Sequence, residues 1–205
     1  MKKLLLTSAG FENPKIGGEF LKLIEKSVSE VKVLFIPTAS RTKEELYWVG
    51  ESKKELIGVG IKEENIINFN LDREFDEGEL NKIEVIYVCG GNTFYLLHKI
   101  KEIGFENAIK KFILDGKVYV GVSAGSMVMG PDIDVSGIKV DWDKNDVCLK
   151  DLTGLNFTDK RISPHYTIED EEIIKKFEEK TGKEVTRLKD SQALLIIGEE
   201  VKVLE

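Results

Sequence analysis

The chain has 205 residues, of which 41% are hydrophobic and 33% charged, with a formal net charge of −7. That length suits one well-buried α/β domain spanning residues 1–205. The acidic balance argues against a nucleic-acid surface and against binding to anionic membranes, although a pocket of opposite local charge leaves an acidic small substrate open. Two cysteines, Cys89 and Cys148, make neither a disulfide framework nor a metal-ligand cluster.

The first residues, MKKLLLTSAGF, place two lysines before three leucines, but the apolar run is too short for a signal-peptide core and breaks into Thr-Ser-Ala-Gly. It reads better as a buried first strand over residues 3–7, and no stretch approaches the length of a membrane span. A cytoplasmic protein is expected. The spacing of Phe20, Leu21, Ile24 and Val28 predicts a helix over residues 18–28. A second buried strand covers residues 31–36 and stops at Pro37. A helix over residues 42–56 carries Leu46, Val49, Lys53 and Leu56, a short strand covers 66–69, and 72–80 is a polar connection or weak helix. The run VIYVC at 85–89 is another buried strand, with Cys89 a small core residue at its close. Gly90-Gly91-Asn92-Thr93 follows at once, then a helix with Phe94, Leu97 and Ile100, then another over 105–114. Continuous apolar strands alternating with amphipathic helices predict a mostly parallel sheet covered on both faces.

The most informative stretch is KVYVGVSAGSMVMG at residues 117–130. An apolar strand drives into Gly121-Val122-Ser123-Ala124-Gly125, the G-x-S-x-G pattern of a nucleophile elbow. Such a turn leaves no room for side chains beside the serine, which is why glycine or alanine must flank it. The following helix points free N–H groups at negative charge developing nearby. A glycine-rich turn serving only close strand–helix packing is the competing explanation. Beyond the elbow the pattern loosens. Residues 132–151 are rich in Asp, Lys and Gly and suggest an excursion with short or antiparallel strands. Thr167 and Asp170 resemble a capping box opening a helix over 168–180, with Gly182 as its stop. Residues 193–197 and 201–204, joined by Gly198-Glu199-Glu200, predict a β-hairpin.

In open parallel sheets ligands bind beyond the carboxyl ends of the strands. That rule selects Ser8–Gly10, residues 37–41, Gly90–Thr93, Ser123 and the His165 loop. A serine nucleophile needs a base, and the two histidines differ in setting. His98 lies mid-helix, whereas His165 follows a proline in a loop, so His165 is the candidate base. Ala124 N–H is one oxyanion donor by elbow geometry, and Gly91 offers a second, since only glycine lets backbone approach a substrate so closely. The same GGNT turn is open to an anion at a helix N-terminus, but it lacks the P-loop lysine and the G-x-G-x-x-G spacing. The carboxylate orienting His165 comes from Asp132, Asp134, Asp141, Asp143, Asp146 or Asp190. Spacing cannot choose, although Asp190 before a buried strand would be held rigidly.

The blocks GVSAGS, CGGNTFYLL and SPHYT, in this order and spacing, resemble the peptidase E (alpha-aspartyl dipeptidase) family of serine peptidases, with cyanophycinase a more distant relative. The resemblance implies a flavodoxin-like three-layer α/β sandwich akin to class I glutamine amidotransferases, with serine in place of the cysteine nucleophile. It carries the nucleophile role to Ser123 and the base role to His165, and it favours Asp190 as the acid over Asp132 or Asp141. Two departures bear on the pocket. Val122 stands where the dipeptidases carry an aromatic residue, and Ser126-Met127 where they carry Ala-Asn, so preference for an N-terminal aspartate does not follow. Asn92 and Arg41 are the expected substrate-binding residues, Arg41 as the fixed cation for an acidic side chain, with Lys139, Lys160 and Arg161 weaker. The expectation is a hydrolase of small peptides, Asp-X dipeptides among them, that needs no metal or cofactor and exists as a monomer or homodimer. An esterase of the α/β-hydrolase type fits less well, because the chain is short and lacks an HGGG-type loop. A catalytically silent binding protein on the same fold is the reading from a different class.

Overall fold

In the computed structural model, which describes residues 1–75, 77–138 and 142–205, the apolar runs pair into a seven-stranded sheet. Five strands are parallel: β1 (Lys3–Thr7), β2 (Val33–Ile36), β3 (Ile66–Asn68), β4 (Val85–Val88) and β5 (Val118–Val122). They lie in the order β3-β2-β4-β5-β1. The first four repeat the flavodoxin order, and β1 takes the fifth place. The expected hairpin, strands Ala193–Ile197 and Glu200–Leu204, runs antiparallel on the far side of β1.

Alternate residues of the buried strands feed two separate cores, as a period of two requires. Leu4, Leu6, Leu34, Ile36, Ile86, Val88 and Tyr119 pack against α4 (Thr93–Glu102) and α5 (Phe105–Leu114). Leu5, Val33, Phe35, Val85, Tyr87 and Val120 pack against α1 (Pro14–Leu23) and α2 (Lys43–Gly58). The result is three layers. A one-turn helix, α3 (Glu77–Leu80), occupies the weak-helix stretch before β4. No helix among the described residues is long and apolar enough to cross a membrane.

Several boundaries differ from the periodicity. Helix α1 begins four residues before Gly18, because Asn13 caps Lys15 N–H with its side chain and Pro14 supplies a preset first position. It ends at Leu23, and Val28 joins a separate 3-10 turn. Helix α2 has a full Thr42–Glu45 capping box but buries only Ser52 and Leu56, leaving Leu46, Tyr47 and Trp48 exposed. In the 132–151 excursion the described residues hold one 3-10 turn and a single bridge between Asp132 and Thr153, in place of the expected strands. Asp-, Lys- and Gly-rich sequence has no apolar face to pair. The alternative acid Asp141 and the weaker cation Lys139 lie outside the described residues.

After the four-residue helix α6 (Ala124–Met127), a small parallel pair forms from β6 (Arg161–Ser163) and β7 (Val185–Arg187). Strand β7, which the sequence pattern does not announce, is three residues long and half polar. Helix α7 (Glu171–Thr181) joins the pair, with the Thr167–Asp170 box before it and Gly182 in the left-handed conformation after it. The hairpin strands complete the numbering as β8 and β9.

Candidate active site

The register of the central strands assembles the site. Thr7 of β1 lies opposite Val122 of β5 and Ala193 of β8. The next residues along β1 and β5 are Ser8 and Ser123. Because β8 runs the other way, the residues entering it, through Asp190, reach the same edge.

The elbow is built as steric necessity dictates. Ser123 has φ 48° and ψ −109°, a strained left-handed setting for a residue with a side chain. A Cβ on Gly121 would lie 2.4 Å from the Gly125 carbonyl oxygen, and one on Gly125 would lie 2.4 Å from that of Val88. The buried Ser126 hydroxyl sits 2.8 Å from the carbonyl oxygens of both Thr7 and Gly121, tying the turn to two strands. This accounts for Ser126 in the second of the two family departures; Met127 beside it lines the smaller cavity, and Val122, the first departure, lines the larger.

His165 Nε2 is 3.0 Å from Ser123 Oγ, and His165 Nδ1 is 2.6 Å from Asp190 Oδ1. Ser123 and Asp190 lie 67 positions apart in the chain, yet the three side chains form one continuous line. His165 itself holds a left-handed backbone (φ 53°), fixed by its N–H donating to Ser8 Oγ at 2.7 Å. Ser8 Oγ in turn donates to Asp190 Oδ1 at 3.2 Å. A fully buried serine thus grips both the histidine backbone and the carboxylate. Ser8 falls within a segment the strand-end rule selects, but only the register shows which partners it meets.

Gly91 adopts φ 121°, and a Cβ there would lie 2.3 Å from the Ala39 carbonyl group, so the turn after β4 has no room for a side chain. Gly91 lines the same cavities as Ser123. Ala124 supplies the first amide of α6, whose later amides on Ser126 and Met127 donate to Ser123 O. Asn92 is engaged structurally: its Oδ1 accepts Tyr95 N–H to cap α4, and its Nδ2 donates to Lys144 O. Arg41 stacks on the Tyr95 ring at 4.3 Å and lies 3.7 Å from Asp146, lining neither cavity.

The other carboxylates have separate duties. Burial pushes the Asp132 carboxyl up, but hydrogen bonds from Arg161 and Lys183 more than reverse this and hold it below its ordinary value. Asp134 also pairs with Lys183, and Lys160 pairs with Asp159. Cys89 is buried, which pushes its thiol well up. Asp143, one of the six carboxylates the sequence offers as a partner for His165, has a different partner. It accepts Thr93 N–H at 2.7 Å, and burial pushes its carboxyl up.

Two cavities, of about 130 and 810 Å3, share Gly91, Ser123, Asp143 and His165. Such a serine, imidazole and carboxylate line at the mouth of a cleft can polarise a hydroxyl toward an electrophilic carbon.

Comparison with known proteins agrees with this architecture. The chain is 34% identical over 204 residues to an uncharacterized peptidase of Listeria monocytogenes, covering 98% of this chain and 97% of the relative. It is 30% identical over 175 residues to peptidase E of a Nostoc species, covering 81% of this chain and 66% of that one. A crystal structure of a candidate peptidase E from Listeria monocytogenes superposes with a TM-score of 0.81 at 31% identity, covering 100% of this chain and 98% of the other. The model of the family described as Peptidase family S51 matches residues 4–204. The chain therefore belongs to Peptidase family S51.

Proposed function

We propose that this member is a serine-type peptidase that hydrolyses short peptides through an acyl-enzyme. What carries the reading is the unbroken line of contacts from Ser123 Oγ through His165 to Asp190, at 3.0 and 2.6 Å. Ser123 Oγ attacks the scissile carbonyl carbon while its proton passes to His165 Nε2, and the carbonyl oxygen becomes an oxyanion between the N–H groups of Gly91 and Ala124. The C–N bond breaks as His165 returns that proton to the leaving amine, which departs and leaves an ester on Ser123. Water then attacks the ester carbon, giving its proton to His165. The ester bond breaks, the proton returns to Ser123 Oγ, and the acid product leaves. Asp190 holds the imidazole in the tautomer that presents Nε2 to the serine.

The test is mass spectrometry after treatment with a fluorophosphonate probe, followed by a dipeptide screen that includes Asp-X. Labelling confined to Ser123 and abolished in His165→Ala is expected, with peptide turnover falling by about 10⁴-fold or more in Ser123→Ala. Fast p-nitrophenyl acetate turnover without peptide cleavage would favour the esterase instead. Ligand-induced melting shifts with no labelling of Ser123 would favour a binding protein.

A further inference from the structure

Resting on that peptidase reading, we infer that Glu55 is a positioning residue. Its carboxylate holds the loop after β1 in the conformation from which Ser8 grips His165 and Asp190.

Helix stability does not explain the residue. Glu55 stands in the last turn of α2, where the helix's own carbonyl groups disfavour a negative charge. Burial pushes its carboxyl above the ordinary value, and Glu12 and Glu51 push the same way, against the Phe11 N–H that lowers it. Folding therefore penalises the ionised form. The side chain's partner lies off the helix: Oε2 accepts Phe11 N–H at 2.8 Å, 44 positions away in the chain. Gly10 has φ 77°, and a Cβ there would lie 2.5 Å from that same oxygen. The carboxylate fills space that a glycine leaves open.

The loop so held is tied at both ends. At the β1 end, Thr7 Oγ1 accepts Gly10 N–H at 3.0 Å and donates to Gly121 O at 3.1 Å, and Ser8 N–H donates to Gln192 O at 3.1 Å. At the α1 end, the Phe11 ring packs 5.0 Å from that of Phe20 and 6.0 Å from that of Tyr87. Ring contacts anchor the side chain but leave the peptide plane free to rock, and the Glu55 hydrogen bond fixes that plane. Ser8 lies between the two ties, its hydroxyl 2.7 Å from His165 N and 3.2 Å from Asp190 Oδ1. Ala9 and Glu55 line the larger cavity with Ser123, His165 and Asp190, so the loop is also a wall of the cleft. A peptide that tilts at Gly10–Phe11 moves the Ser8 hydroxyl, and the line from Asp190 to Ser123 loses its alignment.

The experiment compares Glu55→Met, which keeps the volume and loses the acceptor, with Glu55→Gln, which keeps an acceptor for Phe11 N–H and loses the charge. The readouts are the rate of fluorophosphonate labelling of Ser123, kcat and KM for peptides, and amide hydrogen exchange at Phe11 and His165. Glu55→Met is expected to slow labelling and kcat about fivefold or more, with KM nearly unchanged. Exchange of both amides should quicken about tenfold while that of Val120, inside the sheet, stays as it was. Glu55→Gln should match the wild type in every readout and melt no lower. Unmoved labelling and His165 exchange in Glu55→Met would overturn the proposal. Equal losses in both variants would do the same, by making the charge and not the acceptor the contribution. A wild type that takes no label, with His165 exchange quickened in Glu55→Met and normal in Glu55→Gln, would sink the peptidase reading and leave the positioning role standing. Full labelling of wild type and Glu55→Met alike would do the reverse.

Discussion

The two halves of the candidate site are held by different physics. The Ser123 half grows out of the parallel sheet: β5 is buried along its length, the turn after it has no room for a Cβ at Gly125, and Ser126 staples it to neighbouring strands. The His165 half hangs on the small β6–β7 pair and its loops, which are held by polar contacts across long stretches of chain. Asp132 with Arg161 and Lys183 clamps the segment after the elbow, and Arg187 with Glu171 and Glu178 clamps β7 to α7. Packing fixes the first half wherever water goes. Packing of Ile162, Leu188, Ile174 and Val185 supports the second too, but charge and hydrogen bonds tie its segments together, so it should respond more to pH and to single polar deletions than the first.

The sharpest way to break this contrast is to attack the packed half. Gly125→Ala drives a Cβ to 2.4 Å from the Val88 carbonyl oxygen, a backbone atom of a buried strand that cannot step aside. We expect a loss of about 3 kcal/mol or more in a urea melt, because overpacking here moves β4 against β5. A loss below about 1 kcal/mol would mean the elbow relaxes easily and the sheet is not what fixes Ser123.

A smaller effect is expected in the polar half. Asp132→Ala removes the shared partner of Arg161 and Lys183, and the Asp132 side chain is only 13% exposed. The cost should be about 2 kcal/mol near neutral pH. Its sign with pH follows from the depressed carboxyl. The stabilisation is complete above the ordinary value of 3.8 and is lost as pH falls below it through the lower folded-state value. Wild type and variant should therefore converge in stability in strong acid. A constant gap at all pH values would show that the charge is not what Asp132 contributes.

The same division explains what could be read before the fold was known. Ser123 is legible because the glycines around it answer a local steric demand written into five consecutive residues. The parallel sheet is legible because buried strands are continuous apolar runs. His165 is reached by chemistry, as the loop histidine of two. Asp190 could be favoured but not separated from its rivals, since its claim depends on β8 running antiparallel beside β1. Asp143 meets Thr93 across fifty residues of sequence without periodicity, and no local pattern marks that contact. Arg41 was selected by topology alone, and topology does not tell that a guanidinium will lie on the Tyr95 ring.

The smallest expected effect is also the most diagnostic, because it lies where the halves join. Ser8 sits directly after β1, fully buried, and is a partner of His165 and Asp190 by hydrogen bonding. Ser8→Ala leaves the strand's apolar neighbours untouched and removes one hydroxyl, so the stability cost should be about 1 kcal/mol. The histidine N–H then loses the acceptor that holds its left-handed backbone, and Asp190 loses a donor. The imidazole should populate orientations in which Nε2 no longer meets Ser123 Oγ. The rate of fluorophosphonate labelling of Ser123 should fall about tenfold, with kcat for peptides falling alongside and KM nearly unchanged, the signature of a positioning residue. An unchanged labelling rate with the same loss of stability would assign Ser8 to packing alone, and the histidine half would then owe its geometry to β6 and β7.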